Sequence, residues 1–251
     1  MDNTIISKIA KIASLEVNEN ELEKINKFTL LPVTADEVFV FKVVMADNGQ
    51  DDRNYMPFNL KSLQDLQKKY IGKTFLFDHS AKAEKQIARI YDTELVEKEK
   101  AVTEIGEPMT QLVGKVYMIK TSQNADLIAE INGGIKKEVS TSCFPEKLTC
   151  NVCGTDNIKT YCPHIPGKDY ENKDGTKTKC KLVIDGCKEA IELSFVAVPA
   201  QPRAGTCKEF AKTENSELKK HDAENENILT EVSLFENYVF CEKNKEDENY
   251  D

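Results

Sequence analysis

The chain predicts an α+β fold that is mainly β, built on a mixed or antiparallel β-barrel with short helices around it. Many short runs rich in Val, Ile and Phe lie between polar loops, and few helical stretches separate them. Strands and helices do not alternate strictly, as they do in a doubly wound sheet. The chain has 251 residues, 40% of them hydrophobic, which is enough for one large or two small domains.

The first half of the chain contains a helical segment, a strand and a capped helix. Apolar residues at helical spacing predict that residues 1–30 form an N-terminal helical segment. The run EVFVFKVVMA, residues 37–46, predicts a buried strand. Asn59 is a suitable N-cap for a helix from Leu60 to Tyr70.

The remaining predicted strands are short β-branched or aromatic runs between polar loops, at 74–78, 86–95, 111–119, 135–144 and 190–198. A short helix is predicted at 124–131, ending before two glycines. A cysteine-rich insert at 149–187 separates the last two strands. We therefore expect one principal domain at 31–207 that carries this insert.

Residues 208–251 differ in composition from the rest of the chain. They carry thirteen acidic and six basic residues, and so supply most of the net charge of −9. Only the stretch ILTEVSLFENYVF, residues 228–240, interrupts this acidic composition. We predict a mobile acidic tail with one short apolar segment.

Charge and hydropathy exclude two classes of partner. The negative balance disfavours phosphate binding, which needs clustered Lys and Arg, so no nucleic-acid partner is expected. No apolar run approaches the roughly 18 residues that a membrane helix needs. Charged residues interrupt the apolar positions at the N-terminus, which argues against a signal peptide and predicts a cytoplasmic protein without a membrane segment.

Three distant side chains, Ser140, His79 and Glu192, can form an acyl-transfer site if the fold brings them together. A serine hydroxyl needs a base to take its proton, and histidine suits this task because its ordinary pKa is about 6.5. A carboxylate behind the histidine fixes its tautomer. Glu192 alternates with Ile191 and Leu193 on a predicted strand, where a carboxylate needs a partner or solvent.

Spacing alone leaves an alternative for each of these residues. His79 follows a predicted strand, where many histidines are surface or structural residues. Ser140 precedes Thr141 and Ser142, so any of the three hydroxyls, or none, can be the nucleophile. Glu192 can pair with a lysine or an arginine instead.

Four segments resemble, in order, those of the phage prohead proteases, the serine endopeptidases of capsid maturation. DEVFVFKVVMADNGQDDRNYMPF resembles their N-terminal strand and loop, and TFLFDHS with QIARIYD resembles their histidine segment. EVSTSCF resembles their serine strand, and IELSFVAVPAQPRAG resembles their strand of the form E-x-S-x-V-x-x-P-A-x-P. The resemblance runs from about Asp36 to Ala204 and leaves out the cysteine-rich insert.

The resemblance implies an assemblin-like fold, as in herpesviruses, with a mixed barrel surrounded by helices. By motif position, His79 is the base, Ser140 the nucleophile and Glu192 the orienting acid. The implied partners are the major capsid protein and the scaffold protein, cleaved inside the procapsid in the host cytoplasm. Homo-oligomer formation stays open. The family often has a glycine where this chain has Ser142, so we assign no oxyanion donor.

The insert contains a separate metal-binding pattern. Cys150 and Cys153 form a Cys-x2-Cys pair, in which two thiolates can bind one ion from a tight turn, and Gly154 suits that turn. Cys162 and His164 form a second pair that completes four tetrahedral ligands. We predict one Zn²⁺ ion, which is structural because all four ligands come from the protein.

Two further cysteines of the insert, Cys180 and Cys187, have no assigned role. They can replace a ligand, bind a second ion or be buried as free thiols. For the whole insert, a flexible loop with free thiols is the alternative to a zinc site.

The leading hypothesis is a serine endopeptidase that cleaves scaffold and capsid proteins during phage procapsid maturation. Cleavage of its own acidic tail is a further open hypothesis. The alternative is a non-catalytic, zinc-bearing capsid- or scaffold-associated assembly protein with the same fold, which Ser142 in place of glycine favours. A zinc-ribbon regulator that binds nucleic acid is disfavoured by the acidic charge.

Overall fold

The computed structural model of the protein describes residues 17–207, and all of them belong to one compact unit. The first part of the predicted N-terminal helical segment and the whole predicted acidic tail lie outside the described residues. Three α-helices are present in the described part: α1 (Glu19–Asn26), α2 (Leu60–Lys69) and α3 (Ala125–Asn132). None of these helices is long and apolar enough to cross a membrane.

The described strands are β1 (Val38–Asp47), β2 (Thr74–Phe77), β3 (Ala88–Val102), β4 (Pro108–Ile119), β5 (Val139–Cys150), β6 (Asp169–Glu171), β7 (Lys177–Lys179), β8 (Leu182–Phe195) and β9 (Gly205–Thr206). Seven of them form one sheet in the order β5-β8-β2-β3-β4-β1-β9, and β6 pairs with β7. Among the described strands only β2 and β8 pair in parallel, so the sheet is mixed, which is one of the two predicted alternatives.

The predicted closure into a barrel does not occur among the described strands. The strand ladder ends at β5 on one side and at β9 on the other. Between these two edges Glu138 and Gly205 form an isolated bridge, the N–H of Thr206 donates to the carbonyl of Lys137 at 2.9 Å, and the N–H of Val139 donates to the carbonyl of Ala204 at 3.4 Å. These contacts do not extend into a strand pairing, because β9 is only two residues long.

Helix α2 covers one face of the sheet and carries the predicted cap. Asn59 precedes it, and its side-chain oxygen accepts a hydrogen bond from the backbone N–H of Ser62 at 2.9 Å. Leu63, Leu66 and Tyr70 lie on the inner stripe of the helix and are fully buried. The helix therefore packs its apolar face against the sheet and its exposed face carries the lysines.

The core beneath the candidate site is aromatic. Phe75 on β2 and Phe195 on β8 have ring centroids 4.6 Å apart, and Phe41 on β1 stacks on Phe195 at 6.3 Å. Burial of such rings stabilises the sheet by roughly 1.5–3 kcal/mol each. These contacts join the parallel pair β2–β8, whose C-terminal ends carry the candidate residues.

Strands β5 and β8 are longer than the sequence predicted. β5 continues to Cys150 and β8 begins at Leu182, and the two pair along most of their length. The insert is therefore residues 151–181, which is shorter than the predicted 149–187. Alternation along these strands is broken by two register shifts, and this explains why period-two analysis found only their ends.

Candidate active site and metal centre

Three neighbouring elements position the candidate catalytic side chains. His79 lies just after β2, Glu192 and Ser194 lie on β8, and Ser140 and Ser142 lie on β5. In the β5–β8 register Ser140 is opposite Ser194, and Ser142 is opposite Glu192. Residues two apart on a strand share a face, so the four strand residues lie on one side of the sheet, beside His79.

The structure brings His79 and Glu192 into direct contact. Nδ1 of His79 lies 2.7 Å from Oε1 of Glu192, whose side chain is only 7% exposed, against 38% for His79. No described residue forms a hydrogen bond with Nε2 of His79, so the second ring nitrogen remains available to another group. This arrangement fixes the tautomer with the proton on Nδ1, as a catalytic base requires.

The hydroxyl that contacts the imidazole is that of Ser142 and not that of Ser140. Oγ of Ser142 lies 3.0 Å from Nδ1 of His79, the same nitrogen that Glu192 uses. Within residues 17–207, no hydrogen bond joins Ser140 to the ring. The structure thus brings together two of the three predicted catalytic residues and places the third on the same face.

Ser140 also borders a cavity next to the sheet. The cavity has a volume of about 120 Å³ and extends past Ser140 and Thr141 towards Met45, Phe58 and Ile184. Neither His79 nor Glu192 lines it. The cavity therefore lies next to the predicted nucleophile, but the contact between His79 and Glu192 lies outside it.

The two titratable groups stabilise each other's charged form. The hydrogen bond to Glu192 raises the pKa of His79 above its ordinary value, although burial opposes this shift. Burial would raise the pKa of Glu192, but hydrogen bonds with His79, Ser142 and Ser194 lower it below its usual value. The carboxylate therefore stays ionised beside the ring at neutral pH.

Two residues around the pair were not found by sequence reasoning. Oη of Tyr70 donates to the backbone carbonyls of Ser142, at 2.9 Å, and of Glu192, at 3.2 Å, and so joins α2 to β5 and β8. Oγ of Ser194 donates to Glu192 and accepts from the backbone N–H of His79. Period-two alternation with Glu192 could have indicated Ser194, whereas no sequence signal indicates the contacts of Tyr70.

The predicted metal ligands converge in the insert. One ligand atom from each of Cys150, Cys153, Cys162 and His164 lies within 4.8 Å of the other three. The turn between the first two cysteines is closed by a hydrogen bond from the N–H of Gly154 to the carbonyl of Cys150, at 2.8 Å. This cluster can hold a metal ion.

The local chemistry of the cluster fits a bound cation. Nδ1 of His164 is buried and has no hydrogen-bond partner within the described part of the chain, and an unpaired buried nitrogen calls for a ligand. Hydrogen bonds with Thr155 lower the pKa of Cys153 to about 6, which favours the thiolate that binds metals. The ring of His164 packs edge-on against Tyr170, at 4.6 Å between centroids, which orients it.

The two cysteines without an assigned role separate in the structure. Sγ of Cys180 is buried 4.0 Å from Sγ of Cys150, at the edge of the metal cluster. Cys187 lies in the main sheet instead, with its Sγ 3.5 Å from that of Cys143. Cys187 therefore belongs to the main sheet and is not part of the metal cluster of the insert.

Comparisons of the chain with protein-family models, with curated proteins and with solved structures found no significant match.

Proposed function

We propose that this chain is a serine endopeptidase that cleaves scaffold and capsid proteins during maturation of a phage procapsid. The observation that carries the proposal is the contact between His79 and Glu192, beside the serines of β5. The two residues lie 113 positions apart, and a buried carboxylate against a partly exposed imidazole is the arrangement of a catalytic base. The resemblance to the prohead proteases supports the substrate class.

In this proposal Ser140 is the nucleophile and Nε2 of His79 is its base. Glu192 already occupies Nδ1, so the serine that loses its proton has to approach the other ring nitrogen. Ser142 shares Nδ1 and hydrogen-bonds Glu192, which suits a residue that orients the carboxylate. We propose that Ser140 approaches Nε2 of His79 when the substrate binds.

The reaction follows from these roles. His79 takes the proton of Ser140 as its Oγ attacks the scissile carbonyl, and Glu192 stabilises the imidazolium that forms. His79 then protonates the leaving amine, and the acyl group remains on Ser140. A water molecule activated by the same imidazole hydrolyses the ester and restores the free enzyme.

The finer fold assignment is also part of the proposal. An assemblin-like arrangement, in which the sheet of the described strands stays open and the helices lie around it, is supported by the mixed strand order. The proposed location is inside the procapsid, in the host cytoplasm, with the major capsid protein and the scaffold protein as partners.

Co-expression with the major capsid and scaffold proteins of the same phage tests this function. Wild type, Ser140→Ala and Ser142→Ala are compared by intact mass of all products. We expect trimmed capsid or scaffold protein with wild type, uncut protein with Ser140→Ala, and slower trimming with Ser142→Ala. Cleavage by Ser140→Ala but not by Ser142→Ala would transfer the nucleophile to Ser142.

A non-catalytic assembly protein is the second candidate. It is favoured by the lack of a hydrogen bond from Ser140 to His79 within the described residues, and by the ordered Cys/His cluster. If wild type, Ser140→Ala and His79→Ala give the same uncut products, the assembly role replaces the protease.

We infer that the ion held by the cluster in the insert is Zn²⁺. Three thiol sulfurs and one imidazole nitrogen are the donor set that Zn²⁺ prefers in closed structural sites. The four side chains would hold the ion, and its role would be to order the insert. Metal analysis of protein purified without chelator should give one zinc per chain, and a metal-free folded protein would contradict this inference.

A further inference from the structure

Ser194 occupies the centre of the candidate site without solvent contact. It is 0% exposed on β8, between Glu192 on its own strand and Ser140 on the neighbouring strand. A buried hydroxyl must satisfy its one donor and at least one acceptor position. Its Oγ donates to Oε2 of Glu192 and accepts from the backbone N–H of His79 at 3.1 Å.

The first of these bonds fixes the orientation of the carboxylate. Oε1 of Glu192 faces Nδ1 of His79 at 2.7 Å, while Oε2 is held by Ser194. Rotation of the carboxylate would therefore break one bond or the other. Glu192 is buried, so little water is available to replace a lost partner.

The second bond holds an unfavourable backbone. Asp78 and His79 both have a φ of +52°, in the left-handed region that residues with a Cβ rarely adopt. Two consecutive residues of this kind persist only where the surroundings determine them. The N–H of Asp78 bonds the carbonyl of Phe195 at 2.9 Å, and the N–H of His79 bonds Ser194.

We propose that Ser194 is a positioning residue of the protease site, which fixes the carboxylate of Glu192 and the backbone of His79 through one hydroxyl. This inference rests on the proposed function for its effect on turnover, but its effect on the imidazole does not. Ser194 acts through the other two residues and does not itself meet the substrate. Without its hydroxyl, the carboxylate can turn away from the ring and the turn that carries His79 can relax.

The test is Ser194→Ala, measured in two ways. On a peptide taken from a mapped cleavage site, kcat should fall by roughly tenfold, the factor expected for one lost hydrogen bond to a charged group, while KM stays constant. In NMR titration without substrate, the midpoint of the His79 imidazole should move down towards 6.5. The chain has three histidines, so His79→Ala assigns the signal.

Two further variants separate positioning from folding. Ser194→Thr retains the hydroxyl and should restore both the titration midpoint and most of kcat. Ser62→Ala is the matched control, because Ser62 is also a fully buried hydroxyl, which donates to the carbonyl of Ile184 and accepts from the N–H of Gly186. It should lower stability but leave the midpoint of His79 unchanged.

The outcomes distinguish this inference from the proposed function. An unchanged His79 midpoint in Ser194→Ala, or the same change in Ser62→Ala, overturns the positioning role whether or not the protein cleaves a substrate. A His79 midpoint that is lowered in Ser194→Ala, unchanged in Ser62→Ala and restored in Ser194→Thr supports the positioning role. This holds even if no cleavage is found, and in that case only the protease function fails.

Discussion

His79 and Glu192 are 113 residues apart, and they meet because β2 and β8 are parallel neighbours. The pairing of Phe77 with Phe195 brings the end of β2 beside Glu192 and Ser194 of β8. Sequence reasoning identified both residues from their chemistry and from the family resemblance. Their contact could not be derived, since the pairing of distant strands depends on the whole sheet.

The serine was harder to assign at the level of single residues. Ser140 and Ser142 share a face of β5, so sequence periodicity cannot distinguish them. The resemblance indicates Ser140, whereas the direct contact with His79 is made by Ser142. Which of the two serines contacts the imidazole depends on side-chain positions within a few ångströms. Neither strand alternation nor motif spacing determines positions at that scale.

The pH dependence of activity follows from the raised pKa of His79. The imidazole acts as a base only when neutral, so kcat/KM should rise with pH through a midpoint above 6.5. Glu192→Gln removes the carboxylate that raises this pKa, so the midpoint should fall and kcat should drop at least tenfold. A pH–rate profile of both proteins measures this, and an identical midpoint would contradict the assigned role of Glu192.

The same pair predicts a pH window for stability. The pKa of His79 is raised on folding, so its contribution is fully present below about 6.5 and is lost as pH rises through the folded value. The pKa of Glu192 is lowered, so its contribution is present above about 4.5 and is lost as pH falls through the folded value. In urea denaturation, the free energy of unfolding of wild type should exceed that of Glu192→Gln by the largest amount between these two pH values. A pH-independent difference would contradict the ion pair.

At the level of elements, Tyr70 joins α2 to the two strands of the site. Tyr70→Phe removes one donor from two carbonyls, and we expect a loss of about 1–2 kcal/mol in the free energy of unfolding together with reduced activity. Tyr91→Phe is the matched control, because Tyr91 is also buried and donates to Glu21. Urea denaturation and activity should show that only Tyr70→Phe impairs cleavage. Equal activities would contradict the link between α2 and the site.

The insert is the element whose order should depend on metal. Its hairpin β6–β7 has only three residues per strand, and few buried apolar residues accompany it. Chelation, or Cys153→Ser, should therefore increase hydrogen exchange across residues 151–181 while the main sheet stays protected.

Cys187→Ala is the control for this experiment, since Cys187 lies in the main sheet beside Cys143. It should bind as much metal as wild type. Equal exchange in the insert with and without chelator would show that the segment is ordered without an ion.

For the whole molecule, sequence patterns predicted the type of most elements, but not how the sheet ends. The strand at Val38–Asp47 and the helix capped by Asn59 were predicted within one residue at each end, because each has strong local signals. The long β5–β8 pair was predicted only in part, since bulges interrupt its alternation. Barrel closure was wrong for the described strands, because it depends on a two-residue strand, β9, without a sequence signal.

The central claim, that Ser140 is a nucleophile activated by His79, is tested most directly by covalent labelling. The full chain is treated with a fluorophosphonate, a reagent that phosphonylates activated serines, and the adduct is mapped by peptide mass spectrometry. The account predicts one adduct, on Ser140, which disappears in Ser140→Ala and in His79→Ala. Labelling of Ser142, labelling that persists in His79→Ala, or no labelling of either serine would contradict it.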